Sequence, residues 1–377
     1  MLKQYRVRDY DFKLILLVIL LTIIGIFAVG SAEQSLQKTQ MTGFIFGCFF
    51  MIVISLFDYS VLLKLNWLFY IGSIFLLFLV ETPLGVTTNG AQRWIILFGI
   101  QFQPSETAKI LLILFYAQFI MKHREKLNSI KIIVLCCLLI VPPLALIYRQ
   151  PNLSTTIVLS IVFCVIMFVG GISWKLVTGV LAVLIPAVVI AFSIVIQPEQ
   201  TLIHGYQQTR ILSWLYPEEY ATTEAYQQLN SIMAIGSGQL HGKGYKTNVI
   251  SSVKNGNFIS EPQTDFIFAV IGEEFGFVGT CTVIILIILI TLECFLVARK
   301  ARDLAGTIIA TGMAGLIGFQ GFLNIGVTTG MLPTTGVTLP FVSYGLTSLV
   351  SLYIGIGFVL NVGLQCRKYK AEERGWT

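Results

Sequence analysis

Long apolar runs, separated by short clusters of Lys and Arg, fix most of what this chain can become. About twenty consecutive apolar residues make a helix long enough to cross the hydrocarbon of a bilayer. The sequence supplies ten such stretches, at 12–31, 42–57, 61–80, 105–121, 131–148, 154–171, 175–196, 265–298, 304–326 and 346–365. Backbone in lipid must satisfy its own hydrogen bonds, which leaves helices or closed barrels. The alternating pattern of a barrel strand is absent. The expectation is an all-α polytopic membrane protein, built as a single membrane domain over residues 1–377. Composition agrees: 12% of the residues are charged, against the ~25% that a water-soluble domain carries.

The basic residues orient the spans. Counting from a cytoplasmic N-terminus, the clusters Lys3, Arg6, Arg8; Lys122, Arg124, Lys126; Arg299, Lys300, Arg302; and Arg367, Lys368, Lys370, Arg374 all fall on one side. Fewer basic residues, among them Lys38, Arg149, Lys246 and Lys254, fall on the other. This asymmetry predicts ten spans with both termini cytoplasmic. The net charge of +6 is then a topology signal and implies no nucleic-acid partner. The basic start and the run ending at Gly30-Ser31-Ala32 mimic a secretory signal. The run is long for one and opens a many-span chain, so no cleavage is expected.

The seven cysteines lie in or beside apolar runs or in the basic tail, and none lies in 197–264. That pattern predicts neither a disulfide framework nor a zinc site. His123, His204 and His241 are too dispersed to ligate a metal together. Two outward regions exceed simple connectors. Residues 81–104 hold a short apolar stretch from Trp94 to Ile100, which suits a re-entrant or interfacial segment. Residues 197–264 form a large, polar, Gly-rich loop with Tyr206, Trp214, Tyr216, Tyr226 and Tyr245, and loops of this length are commonly functional.

Candidate chemistry gathers on the outward side. Asp265, in Thr264-Asp265-Phe266-Ile267-Phe268, is the one aspartate facing out, where the large loop re-enters the membrane. A carboxylate against an apolar wall has a raised pKa and suits a general base. Thr264 or Asp265 would equally serve as a helix N-cap, and position alone does not separate these readings. Glu273 and Glu274 lie further along the run; they are functional candidates at membrane depth or a pair near the interface of one long tilted helix. Glu106 and Lys109 open the fourth span, where Ser105 can cap and the i,i+3 spacing lets the two charges pair. The lysine one turn deeper points to a polar cavity. Residues 324–348, rich in Pro, Gly and Thr, cannot form a straight lipid-facing helix and predict a loop or broken helix lining that cavity. Transporter and membrane enzyme both fit these features.

Several stretches, in order along the chain, resemble the SEDS (shape, elongation, division and sporulation) family, the RodA/FtsW group of bacterial membrane proteins. They are Gly90-Ala91-Gln92-Arg93-Trp94-Ile95, Gln103-Pro104-Ser105-Glu106 with Lys109, Tyr206-Gln207 with Arg210, Ala234-Ile235-Gly236-Ser237-Gly238 with Gly242-Lys243-Gly244, Thr264 to Phe268 with Glu273-Glu274-Phe275-Gly276, and Pro333 to Gly345. The family's usual Pro-Asp-Leu-Gly-Thr is Pro151-Asn152-Leu153-Ser154-Thr155 here, without its carboxylate.

The resemblance implies a peptidoglycan glycosyltransferase that polymerises lipid II, an undecaprenyl-pyrophosphate-linked donor, with inversion, at the outer face of a bacterial cytoplasmic membrane. Asp265 matches the family's catalytic aspartate and Glu106 with Lys109 its cavity pair. Arg93, Arg210, Lys243 and Glu261 are the further groups expected to contact substrate. A class B penicillin-binding protein is the implied partner, since no transpeptidase domain is present. A divalent cation (Mg or Mn) is allowed, but no ligand set is readable. Short tails favour a RodA-like elongation role. A lipid II flippase and a non-catalytic scaffold for the partner synthase are the alternatives.

Overall fold

The computed structural model describes residues 10–88, 91–97, 99–197, 205–246 and 258–373. The sequence features at Lys3, Arg6, Arg8, Gly90, His204, Lys254 and Arg374 lie outside the described residues. Along the chain come α1 (Phe12–Ala32), α2 (Gln34–Leu56), α3 (Tyr59–Leu62), α4 (Asn66–Val80), β1 (Gly85–Thr88), β2 (Ala91–Leu97), β3 (Ile100–Phe102), α5 (Pro104–Lys122), α6 (Ile130–Arg149) and α7 (Leu153–Val169). There follow α8 (Trp174–Val195), α9 (Gly205–Leu215), α10 (Tyr226–Ser237), α11 (Ile267–Arg299), α12 (Leu304–Thr328) and α13 (Leu346–Glu373).

Among the described residues, 8 helical stretches are long and apolar enough to cross a membrane, α3 and α4 counting as one. The two expected spans outside that set are also helical, as α5 and the shorter α7. Several helices start where the sequence supplies a capping oxygen: the side chains of Asp11, Asp58, Asn152 and Asp303 each accept a backbone N–H of the first turn, satisfying donors that a helix start leaves open.

Apolar residues occupy both sides of these helices. In α1, Leu14, Val18 and Leu21 are buried while Leu16, Leu20 and Phe27 are exposed. The first set packs against protein and the second suits lipid, where apolar contact carries no penalty. Close approach in such a bundle depends on small residues. A Cβ on Gly25 would stand 2.7 Å from the Val342 Cα, and one on Gly47 2.6 Å from the Tyr353 ring. The core forms where α1, α5, α11, α12 and α13 meet, and α12 buries most of its length there.

Two features refine the expected architecture. Residues 81–104 contain a three-stranded antiparallel sheet in the order β1-β2-β3. Trp94 pairs with Val86 and Gln92 with Thr87, so the register shift leaves Arg93 unopposed in a bulge. Bulges re-aim side chains, and Arg93 is the residue re-aimed.

The second is a correction. The run expected as one span over 265–298 starts at Ile267 and breaks at Gly276, with φ 63° and ψ −157°. Only glycine adopts that region readily, and a Cβ there would lie 2.4 Å from the Gly242 amide nitrogen. Residues 239–244 complete the broken ladder: Lys243 and Gly244 donate to the carbonyls of Glu273 and Glu274 (2.9 and 3.1 Å), and Phe277 and Val278 donate to those of Gln239 and Leu240 (2.8 and 3.2 Å). Four backbone bonds thus bridge the break, in keeping with the need of a membrane protein to satisfy irregular backbone internally.

Candidate active site

Asp265 sits two residues before α11 and does not cap it. Phe266 occupies the N-cap position, and no side chain accepts from the first turn. The capping alternative left open by the sequence is therefore removed for this helix. What fixes Asp265 is its backbone. Asn324 Nδ2 donates to the Asp265 carbonyl at 2.8 Å. The preceding residues are tied to the end of the α12–α13 connection: Ser343 Oγ donates to Thr264 O at 2.6 Å and the Tyr344 amide to Gln263 O at 2.8 Å. The carboxylate meets Gly336, whose φ is 70° and whose missing Cβ would come 3.3 Å from Asp265 Oδ2.

The charges around this carboxyl come from three places. Burial raises its pKa most; Arg93 and Arg210 pull it back down, and Glu261 adds a smaller upward push. The side chain remains partly exposed. Arg93, from the bulge of β2, donates through Nε to Gln150 O at 3.2 Å and through Nη2 to Pro151 O. Arg210, on α9, donates to Thr334 O at 3.4 Å, and α9 is anchored one turn on by Trp214 Nε1 to Gly330 O at 2.9 Å. Glu261 is exposed, with φ 58°, and accepts from Gln263 Nε2 at 2.7 Å.

Glu106 and Lys109 are both buried and paired at 2.8 Å. The expected cap is displaced: Gln103 is the N-cap of α5, without a side-chain bond, and Ser105 lies inside the helix with Pro104 opening it. The i,i+3 pairing is as the spacing predicts. Lys109 Nζ also donates to Gln320 Oε1 at 3.0 Å, and Glu106 Oε2 accepts from Ser348 Oγ at 2.9 Å. Burying such a pair is tolerable only with this additional bonding.

Lys243 is elsewhere. It pairs with Glu273 at 2.8 Å beside the break in α11, and Glu274 accepts from Ser31 Oγ in α1. Of the residues singled out in the sequence, Asp265, Arg93, Arg210 and Glu261 thus converge; Glu106 and Lys109 reach them through Gln320; Lys243 belongs to a second ionic cluster. Asn152, where the carboxylate of the usual motif is missing, caps α7 by accepting from Thr155 N at 3.2 Å. Gln320 was not picked out by sequence reasoning, and Asn324 and Gly336 entered only as part of the cavity-lining segment 324–348, with no role of their own. Two amides four residues apart in an apolar helix were the available signal for the first two. Among the described residues no three His, Cys, Asp or Glu side chains converge to hold a metal. The charged groups that act on Asp265 are two guanidiniums, Arg93 and Arg210, and one carboxylate, Glu261.

These features define a multi-pass helical membrane protein with an acid–guanidinium site beside a bonded, non-helical segment. The family model FtsW/RodA/SpoVE, described as cell cycle protein, matches residues 11–368, and the chain belongs to that family. Among its relatives, a probable peptidoglycan glycosyltransferase FtsW of Geobacter sp. (strain M18) is 32% identical, over 96% of this chain and 99% of the relative. The peptidoglycan glycosyltransferase MrdB of Escherichia coli (strain K12) is 37% identical, over 78% of this chain and 76% of its own length. A chain from a solved peptidoglycan synthase complex, studied for its coordination of polymerization and crosslinking, superposes with a TM-score of 0.78 at 29% identity, covering 95% of this chain and 98% of that one. The rod shape determining protein RodA of Thermus thermophilus gives a TM-score of 0.67 at 28% identity, covering 94% and 96%.

Proposed function

We propose that this chain is a peptidoglycan glycosyltransferase that polymerises lipid II, with Asp265 as general base. The observation that carries the reading is the state of Asp265: partly exposed, free of any capping duty, and faced by Arg93 and Arg210. The acceptor sugar hydroxyl gives its proton to the Asp265 carboxylate as its oxygen bonds to the donor anomeric carbon. The bond from that carbon to the undecaprenyl pyrophosphate breaks, its electron pair leaves on the phosphate oxygen, and configuration inverts. Burial keeps the carboxyl basic enough to accept a proton, while the guanidiniums hold it ionised and offer bidentate donors to the departing pyrophosphate.

The site faces the outside of the cytoplasmic membrane in this reading, with both termini inside. A class B penicillin-binding protein supplies the crosslinking activity, in keeping with the synthase complex whose chain superposes on this one.

The test is polymerisation of lipid II by the purified chain with its partner. Wild type forms glycan strands, and Asp265→Asn lowers turnover by about 10²–10⁴-fold, the usual contribution of a positioned base. Lipid movement without polymer in wild type would transfer the reading to a flippase. Partner binding with neither activity would leave a scaffold.

A further inference from the structure

The backbone from Thr334 to Thr338 belongs to no helix or sheet, yet it is held carbonyl by carbonyl. Thr334 O accepts from Arg210 of α9, Thr335 O from Ser154 Oγ of α7, Val337 O from Asn324 Nδ2, and Thr338 O from Gln320 Nε2. Gly336, in the middle, lies beside the Asp265 carboxylate, where a Cβ would stand 3.3 Å from Oδ2. Two of the four donors come from α12, one turn apart on the same face, and both side chains are only 1% exposed. A primary amide buried in a membrane helix is costly unless its hydrogens are bonded.

Asn324 uses its amide group for two carbonyls at once, Val337 O at 2.6 Å and Asp265 O at 2.8 Å. It therefore fixes the residue that bears the carboxylate relative to the segment that packs on it. Gln320 bonds both the carbonyl and the hydroxyl of Thr338, each at 3.1 Å. Its own oxygen faces the Lys109 ammonium at 3.0 Å, and Lys109 is held by Glu106. An ammonium beside one end of the amide dictates which end carries the oxygen, so the NH2 must point at Thr338.

We infer that Gln320 and Asn324 are positioning residues for Asp265, and that the buried Glu106–Lys109 pair acts on the site by setting the direction of the Gln320 amide. This rests on Asp265 being the base. Asn324 holds the carboxylate-bearing residue; Gln320 holds the wall it packs against; neither touches the reacting atoms.

The test uses the full chain with its partner and lipid II, at several pH values. Alongside, the pH dependence of carbodiimide labelling of Asp265, read by mass spectrometry, follows the carboxyl without requiring activity. Asn324→Ala is expected to lower kcat on the order of 10- to 100-fold, the effect of a misplaced catalytic group, with KM within about twofold. Both the acid limb of the rate profile and the labelling midpoint should move to lower pH, because the loosened carboxyl gains water while Arg93 of β2, Arg210 of α9 and Glu261 of the preceding turn remain.

Thr338→Val keeps the volume and removes one acceptor. Its kcat should fall about threefold, the scale of one neutral hydrogen bond, and Thr338→Ser should recover most of it. Retained kcat in Asn324→Ala, or a loss with limb and midpoint both unmoved, overturns the inference. Should Asn324→Ala not fold, Thr338→Val decides, and wild-type kcat in that variant overturns it. Polymer made by Asp265→Asn, or none by wild type, refutes the base itself; the labelling midpoint still shows whether Asn324 positions the carboxyl.

Discussion

Helices α8 and α12 are both long, apolar and of span length, yet they differ sharply in burial. α8 is the more apolar, and its described residues stay unburied until Val195. α12 is the less apolar and buries most of its length, including Thr311, Gln320, Asn324 and Thr328. In a soluble protein the order would be reversed. In a bilayer lipid accepts the greasiest surface, and the packed interior is where glycine and bonded polar groups accumulate. In this pair the more apolar helix faces outward, and the buried polar groups lie on the less apolar one.

The contrast can be broken by paired substitutions. The largest difference is expected for lysines. Lys109→Met leaves Glu106 buried without its partner and should destabilise by about 3–5 kcal/mol; Lys175→Met, at the exposed start of α8, should stay within about 0.5 kcal/mol. Thermal unfolding of the detergent-solubilised chain reads both, and equal losses would erase the distinction.

Glycines give the next difference. A Cβ on Gly312 of α12 would stand 2.9 Å from Cγ2 of the buried, β-branched Ile113, whereas one on Gly179 of α8 meets nothing within 4 Å. Gly312→Ala should cost about 1–3 kcal/mol by overpacking. Gly179→Ala should be neutral or stabilise by up to about 1 kcal/mol from helix propensity.

The smallest effects sharpen the site itself. Burial raises the Asp265 pKa, so base activity is lost as pH falls through a value above the ordinary carboxylate range. Arg210→Gln removes a lowering charge and should move that acid limb to higher pH. Glu261→Gln removes a raising charge and should move it to lower pH. Shifts in one common direction would mean that these charges do not act on Asp265.

Much of this was legible in the sequence, for a physical reason: apolar length is written locally, so every expected span is helical. The Glu106–Lys109 pair was legible through its i,i+3 spacing, and Asp265 through its place at the edge of an apolar run. Three things were not. The sheet at 85–102 is short and its bulge depends on pairing partners. The break at Gly276 depends on residues 239–244, which lie more than thirty residues away in sequence and contribute the missing bonds. Lys243 reads as one more outward cation until its partner, Glu273, is seen across that break. Long-range pairing decided each of them.

The glycine at 276 also separates two mechanical elements. Beyond it, the long limb of α11 spans the bilayer and must tilt or flex with membrane thickness. Before it, residues 267–275 form a short rod clamped by residues 239–244, with Asp265 just past its far end. The non-helical backbone at Gly276 interrupts the ladder between the two limbs, and the short rod is bonded to residues 239–244 instead. The carboxylate is thereby positioned by residues 239–244 and by Asn324 of α12, and not by the long limb of its own helix.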